Sequence, residues 1–209
     1  LLQEKVLGPL GLTHTTDPGS AAIAEPALHA FSSERRALLG IPATTPFYEE
    51  SSFWNPSWTI THGAIETTDI HDLLAGAIAI GTGQLLSPES YQAMVSTDLR
   101  GKTTALPGCN SCFEQSIGYT YGLGIVITGN WLMQNPLFGG YAGVGAYLPS
   151  QKIAIAVAVT FEPEAFDADG NYVKVDQNGN MADLLFRRIG AQIAPSDPPP
   201  QRGTPRHRI

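Results

Sequence analysis

Charge is scarce in this chain. Only 15% of its 209 residues are charged, and 19 acidic against 12 basic side chains leave a formal net charge of −7. A nucleic-acid-binding surface is normally basic, so no nucleic-acid partner is expected. Long hydrophobic runs are missing too. The longest, Ile153 to Val159, suits a buried strand and falls far short of a bilayer span, so no transmembrane segment is expected. Nor does a signal peptide open the sequence. Residues 1–6 read as a helix already under way, from which a preceding segment is expected. Cysteine is nearly absent: the two present are Cys109 and Cys112. A single CxxC offers at most two thiolates, so a structural zinc site would need ligands from elsewhere. A redox reading would need a βαβ context that the pattern lacks. A small disulfide pinning a surface loop, or two unpaired thiols, remain; the disulfide implies an oxidising compartment. His14, His29, His71 and His207 show no metal-ligand spacing. The stretch from Asp167 to Asn171 opens like a calcium loop, but Asn178 stands where a bidentate Glu would close it. No cofactor or metal is expected.

What is present is globular. Hydrophobic residues make up 43% of the sequence, enough for one domain, 1–194, with a sizeable core. Gly8, Pro9 and Gly11 are expected to break the first helix after Val6. A helix is expected from Pro26 to Leu39, inside a Pro- and Thr-rich stretch. Phe47, Tyr48, Phe53, Trp54 and Trp58 are too many aromatics for a solvated linker. They form either a loop stapled to the core or one wall of a cleft. Ile70, Leu73, Leu74, Ala77, Ile78 and Ile80 fall at helical spacing, with Thr67 or Thr68 as the capping hydroxyl and Gly81 at the end. Ser87-Pro88 starts another helix. Four strands follow, Tyr121 to Thr128, Trp131 to Phe138, Tyr141 to Leu148 and Ile153 to Phe161, with connections short enough for an antiparallel meander. A last helix runs from Ala182 to Ile193, and the Pro-rich tail 195–209 is expected to be disordered. The fold class is therefore α+β, an antiparallel sheet flanked by helices.

Four segments in this order resemble the serine β-lactamase and penicillin-binding-protein-like superfamily, which includes class C β-lactamases, DD-peptidases and related esterases. They are the opening helix with Pro9-Leu-Gly-Leu-Thr-His-Thr15; His62-Gly-Ala-Ile-Glu-Thr-Thr-Asp-Ile-His-Asp-Leu73 running on to Leu85-Leu-Ser-Pro88; Tyr121-Gly-Leu-Gly124; and Phe138-Gly-Gly-Tyr-Ala-Gly-Val-Gly145. The resemblance covers residues 1 to about 193 and implies the C-terminal portion of the β-lactamase/transpeptidase-like fold. It implies acyl-enzyme chemistry on an ester, amide or β-lactam bond, in a secreted or cell-envelope protein. It also implies a nucleophilic serine with a lysine one helical turn away, which accepts the hydroxyl proton. No serine here is followed by lysine three residues later, and no Tyr-x-Asn occurs. Both motifs precede the Pro-Leu-Gly segment in the family, so they are expected upstream of Leu1, on a missing N-terminal segment or partner fragment.

The resemblance puts the family's third motif on Tyr141-Ala142-Gly143, on an edge strand. Val144 would then give its backbone N–H to an oxyanion hole, and Gly143 would admit close approach of substrate. Tyr141 and Ala142 replace the usual cation and hydroxyl, which favours an ester or amide over a β-lactam. The plainer reading of Tyr141 is a strand aromatic packed in the core. His62, Gly63 and Trp54 are candidates for the cleft. The rival to a hydrolase is a non-catalytic binding or regulatory module on the same scaffold.

Overall fold

A computed structural model describes residues 1–17, 19–54, 66–109, 112, 114–170 and 180–201. Its centre is the expected meander, in more pieces than the sequence suggests. The strands are β3 (Thr120–Tyr121), β4 (Val126–Thr128), β5 (Trp131–Gln134), β6 (Leu137–Phe138), β7 (Tyr141–Leu148) and β8 (Ile153–Thr160), with β1 (Phe31–Ser32) and β2 (Glu49–Glu50) forming a separate pair. The segment expected as one strand from Tyr121 to Thr128 is a hairpin. Gly124 takes φ +75°, and Gly122 N–H donates to Ile125 O at 2.8 Å, so the chain turns back at once. The next expected strand is interrupted at Asn135-Pro136. Pro136 has no N–H for the ladder, and β5 and β6 run one after the other along the same side of β7. On the other side of β7 lies β8, paired with it over all eight residues. β7 is therefore interior, and the expectation that its first residues form a sheet edge is overturned.

Alternation along β7 sorts the two faces of the sheet. Ala142, Val144, Ala146 and Leu148 are buried with Trp131, Met133, Ala182 and Phe186 in the main core. Here α4 (Met181–Ile193) covers the sheet, and the Trp131 and Phe186 rings meet edge to face at 5.3 Å. The opposite face meets α2 (Ile70–Gly81). Gly145 sits under Leu73 and Ala77, and Gly81 approaches the Tyr147 ring so closely that a Cβ would lie 2.2 Å from it. Beside this, α3 (Pro88–Met94) packs over Ile125, Ile127 and Leu132. Asp69, rather than a threonine, caps α2: its Oδ1 accepts from His71 N at 3.0 Å and Asp72 N at 2.8 Å. Ser87 caps α3 as expected, accepting from Ser90 N at 3.1 Å.

Three other expectations change. The opening helix does not stop after Val6: a π-helical turn, Gln3–Leu7, runs into α1 (Gly8–Leu10), and the chain leaves the helix at Gly11 with φ +68°. The helix expected from Pro26 to Leu39 does not form. Phe31 N–H is taken by Phe161 O at 2.7 Å and β1 pairs with β2, leaving only turns up to Gly40. Tertiary pairing here outweighs a weak local propensity. The Pro-rich tail is packed as far as Gln201. Asp197 O accepts from Trp131 Nε1 at 2.9 Å, Pro199 is fully buried against Gly190, and Pro200 O accepts from Arg187. Proline-fixed extended backbone makes a strap across α4; residues 202–209 lie outside the described residues.

Candidate functional site

The four residues expected to form the active-site strand do not share a face. Tyr141 and Gly143 point to the α2 side, and Ala142 and Val144 to the α4 core, where they are 2% and 0% exposed. Gly143 N–H donates to Pro136 O at 2.9 Å. Successive N–H groups on a strand point to opposite sides. That of Val144 is therefore directed at β8, where Val144 stands opposite Val157. Spent inside the sheet, it does not fit an oxyanion donor. The Tyr141 hydroxyl is buried, which pushes its pKa up to about 12 against a smaller lowering from Ser52. The Tyr141 hydroxyl has no hydrogen-bond partner of good geometry among the described residues, and the Ser52 proton goes to Glu50 Oε1 at 2.6 Å. Tyr141 stays neutral at pH 7 and cannot act as a base.

Trp54 packs on the β6–β7 turn, where a Cβ on Gly139 would lie 3.4 Å from its ring. The Arg35 guanidinium stands 5.0 Å over the ring centroid. Tyr48 stacks on Phe166 at 5.1 Å between ring centroids, so this part of the aromatic stretch is a loop stapled to the core. His62, Gly63 and Trp58 lie outside the described residues. Cys109 and Cys112 are joined as a disulfide.

The open space lies elsewhere. A groove of about 240 Å³ runs between α2 and the sheet. Leu73, Gly76, Ala77 and Ile80 of α2 form one wall, and Ile125, Leu132, Gln134 and Pro136 the other. Gly145 forms its floor, and Leu12, Thr15, Glu66 and Thr68 close one end. Pairing of β4 with β5 stops at Val126 and Met133, which leaves the outer side of Gln134 without a strand partner. The Gln134 side chain turns to Gly124 O. Among the described residues its lining is mostly apolar, with Thr15, Thr68, Asp72, Gln134 and Glu66 as the polar members. Both Glu66 carboxyl oxygens are buried with no hydrogen-bond partner among the described residues, and burial, with Asp17 nearby, raises its pKa.

Sequence spacing missed two clusters because their members are far apart in the chain. His14, Asp69 and Asp72 each bring a ligand atom within 4.8 Å of the others. These groups are already engaged. Asp69 caps α2 and faces His14 Nδ1 at 3.1 Å, while Asp72 Oδ2 accepts from His14 N at 2.7 Å and Thr15 Oγ1 at 2.9 Å. The set ties the opening segment to the helix start. At the Tyr141 end, Glu50 Oε1 also meets His29 Nδ1, and His29 Nε2 lies 3.2 Å from Glu25. The hydrogen bond to Glu50 raises the pKa of His29. That of Glu50 is lowered, first by Ser52 and then by His29. Ser52 Oγ and His29 Nδ1 are 3.4 Å apart with the carboxylate between them, and Ser52 is 3% exposed. This is a lock between β2 and the preceding loop rather than a nucleophile with its base.

No family model matches the sequence, and no curated protein matches it. Solved structures do share its fold. A D-stereospecific amidohydrolase from Streptomyces sp. superposes with a TM-score of 0.53 at 20% identity, over 77% of this chain and 43% of that one. The D-amino acid amidase from Ochrobactrum anthropi SV3, solved with L-phenylalanine amide, gives 0.50 at 16% identity, over 75% of this chain and 42% of that one. A penicillin binding protein from Bacillus halodurans gives 0.53 at 10% identity, over 88% of this chain and 48% of that one. These proteins belong to the serine β-lactamase/transpeptidase-like superfamily, and the likeness is one of fold: an α+β antiparallel sheet flanked by helices. The chain spans less than half the length of each of them.

Proposed function

We propose that this chain is the sheet-bearing part of a serine hydrolase that works through an acyl-enzyme on an ester, amide or β-lactam bond. The observation that carries the reading is the shared fold with two amidohydrolases and a penicillin binding protein. The groove supports it. Its apolar walls suit the hydrocarbon part of a substrate. Gly145 lines its floor without a side chain, which keeps the space beneath α2 open. Tyr141 and Ala142 supply neither a cation nor an aliphatic hydroxyl, which favours an ester or amide bond over a β-lactam. The nucleophile and its lysine must come from outside these residues: the described groove is lined by no lysine, and its only hydroxyls are those of Thr15 and Thr68. The Cys109–Cys112 disulfide supports an oxidising location outside the cytoplasm.

A fluorophosphonate serine probe, followed by intact mass spectrometry, tests the reading. The expected result is a label on a polypeptide larger than 22.3 kDa or on a fragment that co-purifies with this one. Absence of label from the native protein would leave the scaffold as a binding or regulatory module.

A further inference from the structure

We propose that the groove between α2 and the sheet is a binding site for a small apolar primary amine, with Glu66 as the counter-ion of its ammonium group. This stands on the groove itself and holds whether or not the chain takes part in catalysis. A carboxyl buried without a donor is costly, and the cost disappears when a ligand brings the donor. Both Glu66 oxygens are in that state. The polar neighbours cannot serve them, since they are engaged with one another. Thr15 binds Thr68 at 2.8 Å and Asp72 at 2.9 Å, and the Gln134 amide goes to Gly124.

The sign of the charge selects the ligand. Asp72 lines the same groove and Asp17 acts on Glu66, so a carboxylate or phosphate would be repelled. An ammonium brings three N–H donors and the opposite charge. Most of the described wall is hydrocarbon, from Leu73, Ala77, Ile80 and Leu132, and about 240 Å³ leaves room for an aryl-alkyl body. Burial favours the protonated carboxyl in the empty groove. An ammonium bound beside it favours the carboxylate instead, and the ion pair forms in the groove. Affinity therefore rises with pH through the raised Glu66 value and levels off above it.

Calorimetric titration of the purified protein with 2-phenylethylamine, with 2-phenylethanol as the neutral match, decides the matter. The expected result is that the amine binds at least tenfold more tightly than the alcohol. Glu66→Gln should weaken amine binding at least tenfold while leaving the alcohol unchanged. Near-UV circular dichroism and melting check the variant's fold; with the buried acid gone, its Tm should hold or rise. Equal binding of amine and alcohol, undiminished amine binding by Glu66→Gln, or no binding of either ligand would overturn the proposal. The probe result above is independent of these outcomes. A labelled protein that ignores the amine sinks only this inference, and an unlabelled protein that binds it sinks only the hydrolase reading.

Discussion

Arg187 is the best place to test the account of how the sheet is held. It lies in the middle of α4, and both it and Asp183 are 3% exposed. Its Nε donates to Asp183 Oδ2 at 3.2 Å, and its Nη1 to Thr128 Oγ1 on β4 at 3.0 Å and to Pro200 O on the strap. One side chain thus joins the helix, the sheet and the tail. Arg187→Ala would take the guanidinium away from the buried Asp183 carboxyl. Breaking a buried pair by removing one partner costs about 3–5 kcal/mol. In a chain of this size, that corresponds to a Tm roughly 6–20 °C lower. The sharper control is the double variant Asp183→Leu with Arg187→Met. With both charges replaced by hydrocarbon of similar volume, it should recover most of the loss, because desolvation offsets much of a buried pair's attraction. Urea unfolding gives both values. Limited proteolysis should show earlier cutting around residues 195–201 in Arg187→Ala. A single variant within about 1 kcal/mol of the parent, or a double variant no better than the single, would refute the reasoning.

Gly81→Ala should lower stability by about 1–3 kcal/mol although alanine is the better helix former, because its Cβ would lie 2.2 Å from the Tyr147 ring; an unchanged urea midpoint would count against the tight α2–β7 contact. Asp72→Ala should free residues 14–15 from α2 at a cost of about 1–3 kcal/mol, seen as faster hydrogen exchange at His14 N–H. The His29–Glu50 lock should be strongest near pH 5–6. The pKa of His29 is raised, so its contribution is full below the ordinary 6.5 and is lost as pH climbs through the higher folded value. The pKa of Glu50 is lowered, so its contribution is present above the ordinary 4.5 and is lost as pH falls through the lower folded value. A His29 ring titrating at or below 6.5 by NMR would contradict the lock. Reducing Cys109–Cys112 should cost no more than about 2 kcal/mol, because the closed loop is short, and should leave the melting of the main core intact.

The helices with strong local signals were legible. α2 and α4 carry an apolar period and α3 the Ser87-Pro88 start; Asp69, Ser87 and Asn180 cap them, each accepting backbone hydrogen bonds, though the sequence pattern did not single out Asn180. For α2, the cap fell on Asp69 instead of the neighbouring threonines, a shift that periodicity cannot resolve. Pro26 to Leu39 misled because its composition suits a helix, while the partners that claim it, Glu49–Glu50 and Phe161, are distant in sequence. The strap misled for the opposite reason. Proline-rich composition resembles disorder, yet Pro199 finds a socket because Gly190 of α4 has no side chain there.

The site shows a deeper limit. A motif is read as consecutive residues, but a strand presents alternate residues to opposite faces. Reading Tyr141 to Val144 as one site joins two groups that the sheet separates: Ala142 and Val144 belong to the α4 core, and Tyr141 and Gly143 to the α2 side. Nor could the sequence show that β7 is flanked by strands on both sides, since Pro136 splits its neighbour into β5 and β6 without moving either piece off β7. Once β7 is interior, its N–H groups are committed to the ladder. Among the described residues, a groove appears where the pairing runs out beside β5, beneath α2. Glu66 stands there, just ahead of the apolar period that begins at Ile70. Nothing in the sequence marks Glu66 out, and only the fold of residues 12–15 and β5 around it buries its carboxyl oxygens.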